Sequence, residues 1–289
     1  MLRLANRELS VELLDPVADA ARQGWRYCWG GYIWQIHDAQ LGPLLAGPEF
    51  PKPDPTAFNG QGLPESFRHR RRDTGAALTW SGDTGLAIGA GSLAVNPGRP
   101  ATDPESVRVV EPCRWTVTPS ANQIIFETRP TVAGFSYELS RRIELAGRTL
   151  SSFTALTNVS REPLVLQWFA HPFWALTNHQ AQVQFPVGTT IADNPGFAVD
   201  AAGKLGFKRP FLAESDGQLS FLTLPSGGEL TVSLDHPTLK RVTFTTSFVP
   251  DECPFWANSH TVSVEPYLNL HLAPGETRRW HVRYGFVAR

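Results

Sequence analysis

Apolar and polar residues alternate with a period of two along much of the chain. In residues 278–286, Trp280, Val282, Tyr284 and Phe286 fall on one side, with Arg279, His281 and Arg283 on the other. That spacing is the signature of a strand with one buried face. Similar stretches at 9–14, 77–80, 107–117, 123–129, 135–145, 149–157, 219–224, 229–234, 241–249 and 261–272 predict a succession of strands at short spacing. Ala146-Gly147-Arg148, between two alternating runs, predicts a hairpin.

Two segments break the rhythm. The run LVLQWFAHPFW, residues 164–174, is almost wholly apolar and follows a turn at 158–163, so it reads as a strand buried on both faces. Counting by twos places Val165, Gln167, Phe169 and His171 on one face, after which Pro172, having no N–H, takes the chain out of the ladder. Residues 29–36 read as an early core strand with a bulge or close backbone approach at Gly30-Gly31. Between 42 and 64 five prolines from Pro43 to Pro55 exclude a regular element, and the Phe, Leu and Gly content predicts a long packed loop. No repeat or linker divides the chain, so residues 1–289 are expected to form a single domain, mainly β, built as a large antiparallel β-sandwich.

Composition sharpens this reading. With 24 Gly, 24 Pro and 17 Phe against one Met, the chain suits strands and turns better than helices. A net charge of −1 with 18% charged residues supplies no general attraction to nucleic acid or to an acidic membrane. Arg3, Arg7, Glu8 and Glu12 interrupt the apolar positions of the N-terminal stretch, unlike a secretion signal, and a cytoplasmic location is expected. Cys28, Cys113 and Cys253 lie far apart and in no metal-ligand pair, so they are expected as core thiols. Nine tryptophans suit core filling, and some of them the C–H face of a sugar on a concave surface.

Candidate chemistry concentrates at two places. His171 and Glu265 are each a titratable residue at a predicted strand end, each followed by proline, and each near aromatic residues: Phe173 and Trp174 in one case, Tyr267 in the other. On 261–267, Glu265 shares a face with Thr261, Ser263 and Tyr267, while Val262 and Val264 point to the core. The second place is NGQGLPESFRHRRRD, residues 59–73, where Arg68 to Arg72 form either a solvated strand edge or a set of guanidinium forks suited to phosphate.

The hairpin RRIELAGRTLSSFTALTNVSREPLVLQWFAHPFW followed by VEPYLNLHLAPGETRRWHVRY resembles the aldose 1-epimerase, or galactose mutarotase-like, family over the second half of the chain. The resemblance implies a supersandwich with a sugar on a concave sheet face, no cofactor and no metal. It also implies that His171 is the general acid at the ring oxygen and Glu265 the general base at the anomeric hydroxyl, on opposite sides of one ring. The first half lacks the family's Asn-Arg pair in a glycine-rich loop and its histidine near Gly-Gly. By position Arg68 or His69 would take over those functions, and Asp193 in TTIADNPG would be the aspartate that holds a sugar hydroxyl. Trp174 and Tyr267 complete the expected binding set. The expected reaction is interconversion of sugar anomers by an isomerase whose partner is a monosaccharide or a sugar phosphate. The alternatives are a hexose-6-phosphate 1-epimerase and a non-catalytic carbohydrate-binding protein of the same fold.

Overall fold

The structure is a computed structural model that describes residues 1–71, 75–99, 106–177 and 179–289. Its strands pair antiparallel throughout. A 3₁₀ turn, Ala20–Arg22, lies between the strands. The backbone of the architecture is an eleven-stranded sheet. At its centre lie Phe135–Ala146, Thr149–Asn158, Thr277–Val287 and Arg241–Thr246, in that order. The predicted hairpin is present, with Ala146 opposite Thr149 and Gly147 at a φ of +54°, a left-handed turn that glycine takes without strain.

Two smaller sheets cover one face of the large one. A three-stranded sheet has the order Tyr267–Leu272, Leu164–Ala170, Glu65–Arg68. A five-stranded sheet contains Trp174–Ala175, Thr261–Val264, Cys253–Ala257, Gln218–Thr223 and Thr190–Ile191. The core forms between the layers, where Trp168 meets Trp280 at 5.4 Å between ring centroids and Trp174 meets Tyr284 at 5.7 Å. Aromatic pairs at such separations add to the area they bury. The three cysteines are free and buried, as expected.

Several boundaries differ from the expectation. The run 164–170 is buried on both faces except at Val165. Residues 107–117 form two strands, Val107–Pro112 and Thr116–Pro119. The early core strand begins at Ile33, after Gly31 turns with φ +77°. Of 77–80, only Trp80–Ser81 is a strand, and Leu2–Ala5, Thr84–Ala87 and Gly91–Val95 are strands not anticipated. The break with the largest consequence falls in 261–272. There Glu265-Pro266 separates Thr261–Val264 in one sheet from Tyr267–Leu272 in the other, because Pro266 has no N–H for a ladder.

Candidate active site

The two His/Glu-Pro pairs are the same device used twice. The chain leaves the three-stranded sheet after Ala170, passes His171-Pro172, and enters the five-stranded sheet at Trp174. Antiparallel to it, the other segment leaves the five-stranded sheet after Val264 and enters the three-stranded sheet at Tyr267. Phe169 pairs with Tyr267 on one side of the seam and Trp174 with Val262 on the other. Stepping two residues inward from Phe169 and Tyr267 puts His171 opposite Glu265. Freed amides are satisfied nearby: His171 and Phe173 donate to the carbonyls of Pro64 and Gly62, and Glu265 donates to that of Pro254.

At this seam His171 Nε2 lies 3.5 Å from Glu265 Oε1, and Nδ1 lies 3.0 Å from Ser263 Oγ. All three side chains are buried, His171 and Glu265 at 5% exposure each. The contacts are mutually consistent for a neutral imidazole with its proton on Nε2, which faces the carboxylate, while the Ser263 hydroxyl donates to Nδ1. The ring stacks on Phe173 at 4.3 Å and meets Tyr27 and Trp256 edge-on at 6.1 and 6.3 Å. Burial, then the positive charges of Arg26 and Arg68, holds His171 well below the ordinary histidine range. Glu265 lies 3.5 Å away, but desolvation and two cations outweigh one carboxylate, so the histidine is neutral at pH 7. A carboxylate beside a histidine by itself favours the protonated ring, and here burial and the two cations act against it. His171 and Glu265 also stand side by side, where an acid and a base on opposite sides of a ring were expected.

His171 and Glu265 open onto a cleft of about 720 Å³. One wall is aromatic, with Phe169 stacked on Tyr267 at 4.5 Å and Trp256 beside Phe173. The lining also includes Arg26, Arg68, His69 and Arg70, with Trp25 and Phe58 among them. Arg68 stands opposite Gln167 in the ladder and thus shares the face of Phe169 and His171. His69 is clamped between Trp25 and Trp80, at 4.9 and 5.7 Å, where burial and then Arg70 and Arg68 press its pKa down to about 3. The proline-rich loop supplies Pro48, Phe58 and Asn59 to the rim. It closes through Gly60, where φ is +102° and any Cβ would come 2.3 Å from the Phe173 ring.

Five of the seven residues singled out in the sequence therefore line one cleft: His171, Glu265, Arg68, His69 and Tyr267. Trp174 and Asp193 do not. Trp174 lies past the proline in the second sheet and points into the core against Tyr284 and Phe286. Asp193 is a surface residue whose side chain is 97% exposed and bonds Lys208 Nζ at 2.7 Å. Arg72, the last of the arginine run, lies outside the described residues. Arg26 and Trp256 were not anticipated. Arg26 sits in the aromatic cluster GWRYCWGG, which suggested only a strand, and Trp256 lies in a segment that carried no strand pattern.

No protein-family model matches the sequence, and no curated protein sequence is significantly similar to it. Solved structures are similar over the whole length. A galactose mutarotase-like protein from Lactobacillus casei superposes with a TM-score of 0.62 at 13% identity, covering 99% of each chain. A galactose mutarotase related enzyme from Lactobacillus acidophilus gives 0.58 at 14% identity, covering 99% of this chain and 97% of that one. The chain has the galactose mutarotase-like fold. An aldose epimerase homologue from C. elegans gives 0.58 at 12% identity, covering 99% and 98%. In this chain the His171–Glu265 seam lies where the chain passes between the two smaller sheets, and it lines the cleft. Among the described residues, no helix is long and apolar enough to cross a membrane.

Proposed function

We propose that residues 1–289 act as one domain, that the cleft binds a sugar, and that the protein is an aldose 1-epimerase-like enzyme interconverting its anomers. The observation that carries this reading is the buried His171–Glu265 pair, 3.5 Å apart at the bottom of a cleft walled by aromatic rings. In a pyranose the ring oxygen and the anomeric hydroxyl are bonded to the same carbon. An acid and a base that address both must therefore be neighbours, as these two are. Glu265 takes the proton of the anomeric hydroxyl, the C1–O5 bond breaks as the aldehyde forms, and O5 takes a proton from Nε2 of a protonated His171. After rotation about C1–C2 the ring closes on the other face of the aldehyde: the proton on O5 returns to His171, and Glu265 gives its proton back to O1. Each cycle restores the pair. The Phe169–Tyr267 stack and Trp256 offer flat apolar faces to the C–H side of the ring.

The decay of optical rotation of freshly dissolved α-glucose and α-galactose tests the proposal. Wild type should accelerate it, and His171→Asn and Glu265→Gln should each lower the acceleration by about 10²–10⁴-fold, the usual contribution of a general acid or base. Retention of full acceleration by either variant overturns the assignment.

A further inference from the structure

We propose that Arg26 and Arg68 form an anion subsite in the cleft beside the His171–Glu265 pair, and that the sugar this cleft takes carries a phosphate ester. The inference rests on the reading of the cleft as a sugar site.

Neither arginine has a carboxylate partner among the described residues. Arg26 donates from Nη1 to the carbonyls of Phe58 and Asn59, at 3.0 and 3.4 Å, and lies over the rings of Tyr27 and Phe58. Arg68 donates from Nε to the carbonyl of Arg70, at 3.2 Å, which leaves its two terminal nitrogens to the cleft. Elsewhere in the protein Arg141, Arg148 and Arg209 each hold a carboxylate. Cations that have no counter-ion among the described residues and line a cleft are suited to an anionic ligand.

The two segments that carry them are laced together. Ser66 Oγ donates to the carbonyl of Arg26 at 2.7 Å, and the Cys28 amide donates to the carbonyl of Glu65 at 2.8 Å. Gln167, opposite Arg68, precedes His171 by four residues, which is about 13 Å along a strand. Both arginines line the cleft with His171, so a sugar seated at His171 would meet them through a charged substituent. The volume of about 720 Å³ likewise suits a ligand larger than a bare monosaccharide. Two forks of planar donors match the oxygens of a phosphate dianion.

Electrostatics gives this subsite a second effect. Among the described residues the charged groups that act on His171 are Glu265, Arg26 and Arg68, with the buried Tyr27 phenol held neutral. A bound phosphate would offset the two cations that disfavour imidazolium, so the correct substrate would help to charge its own acid.

Titration calorimetry with glucose 6-phosphate, glucose, glucuronate and inorganic phosphate tests this, together with anomer exchange followed by NMR. The proteins are wild type, Arg26→Gln, Arg68→Gln and the charge-keeping Arg68→Lys, each checked for folding by circular dichroism. Glucose 6-phosphate should bind wild type at least tenfold more tightly than glucose or glucuronate, and inorganic phosphate should compete with it. That preference should fall at least tenfold in either glutamine variant and less in Arg68→Lys. Equal affinity for glucose and glucose 6-phosphate overturns the inference, even where glucose is anomerised and the epimerase reading stands. Glucuronate binding as tightly as glucose 6-phosphate overturns the choice of phosphate. Tight, arginine-dependent binding of glucose 6-phosphate with no exchange of anomers upholds the subsite and removes the epimerase reading instead.

Discussion

Ser263 Oγ stands 3.0 Å from His171 Nδ1, and this contact decides which nitrogen of the imidazole meets Glu265. Ser263 and Glu265 sit two residues apart on one face, so a single stretch of backbone presents both groups that meet the His171 ring. Removing the hydroxyl leaves the ring stacked on Phe173 but free to choose its tautomer. Ser263→Ala is expected to lower kcat by about 3–10-fold, the range of one hydrogen bond, with little change in KM. Steady-state polarimetry separates the two constants. An unchanged kcat in a folded variant would show that Phe173 alone orients the ring.

The pH dependence of turnover follows from the same pair. Burial, with Arg26 and Arg68, depresses the pKa of His171, so its imidazolium is lost as pH rises through a value below 6.5. In the proposed ring opening the proton donor is the imidazolium, so kcat/KM should fall on a limb whose midpoint lies below 6.5, approaching tenfold per pH unit beyond it. Arg68→Gln removes one of the depressing charges and should move that midpoint upward. A limb centred above 6.5 in wild type would mean that Glu265 dominates the field at His171.

His69 makes a separate, structural prediction. Its folded pKa of about 3 lies below the unfolded value of 6.5, so it stabilises the fold as a neutral group. That contribution is complete above pH 6.5 and is lost as pH falls toward 3. Between pH 7 and pH 4 the loss is about 3 kcal/mol for this one residue. His69→Phe, which cannot take up a proton and keeps a ring between Trp25 and Trp80, should flatten the fall in denaturant stability over that range by a similar amount. An identical fall in wild type and variant would place the acid sensitivity elsewhere.

The sequence carries the fold and the core of the site for a physical reason. Period-two alternation is a local signal, so the strands of the hairpin Phe135–Ala146 and Thr149–Asn158 could be read within a residue of their ends. His171 and Glu265 were legible because each is followed by proline, and proline marks where a ladder must stop. That both stops fall at one seam between two sheets was not legible, since it depends on pairing between segments about ninety residues apart. Arg26 escaped for the same reason: its place comes from the carbonyls of Phe58 and Asn59 at the end of an irregular loop. Trp174 was expected in the site as an aromatic close to His171 in sequence, yet residues an odd number of places apart along an extended chain point to opposite faces.

Beneath the cleft floor lies a buried ion pair that the alternation pattern does announce. Arg141 falls on the same face of its strand as Tyr137, Leu139, Ile143 and Leu145, all buried, and is itself fully buried. Its guanidinium pairs with Glu65 and donates to the carbonyl of Gly30 and to Ser152 Oγ, each at 2.7 Å. Glu65 in turn accepts from Ser152 Oγ at 2.6 Å and from Trp168 Nε1 at 3.2 Å. The network ties the strand Glu65–Arg68, which carries Arg68 and His69 to the cleft, to the large sheet behind it. Glu65→Gln strands the Arg141 charge in the core and should cost about 3–5 kcal/mol in chemical denaturation. Combining it with Arg141→Met removes the stranded charge, so the double variant should be more stable than Glu65→Gln alone. If the double variant is instead the less stable, with the two losses adding, the two residues act independently and the network does not brace the cleft.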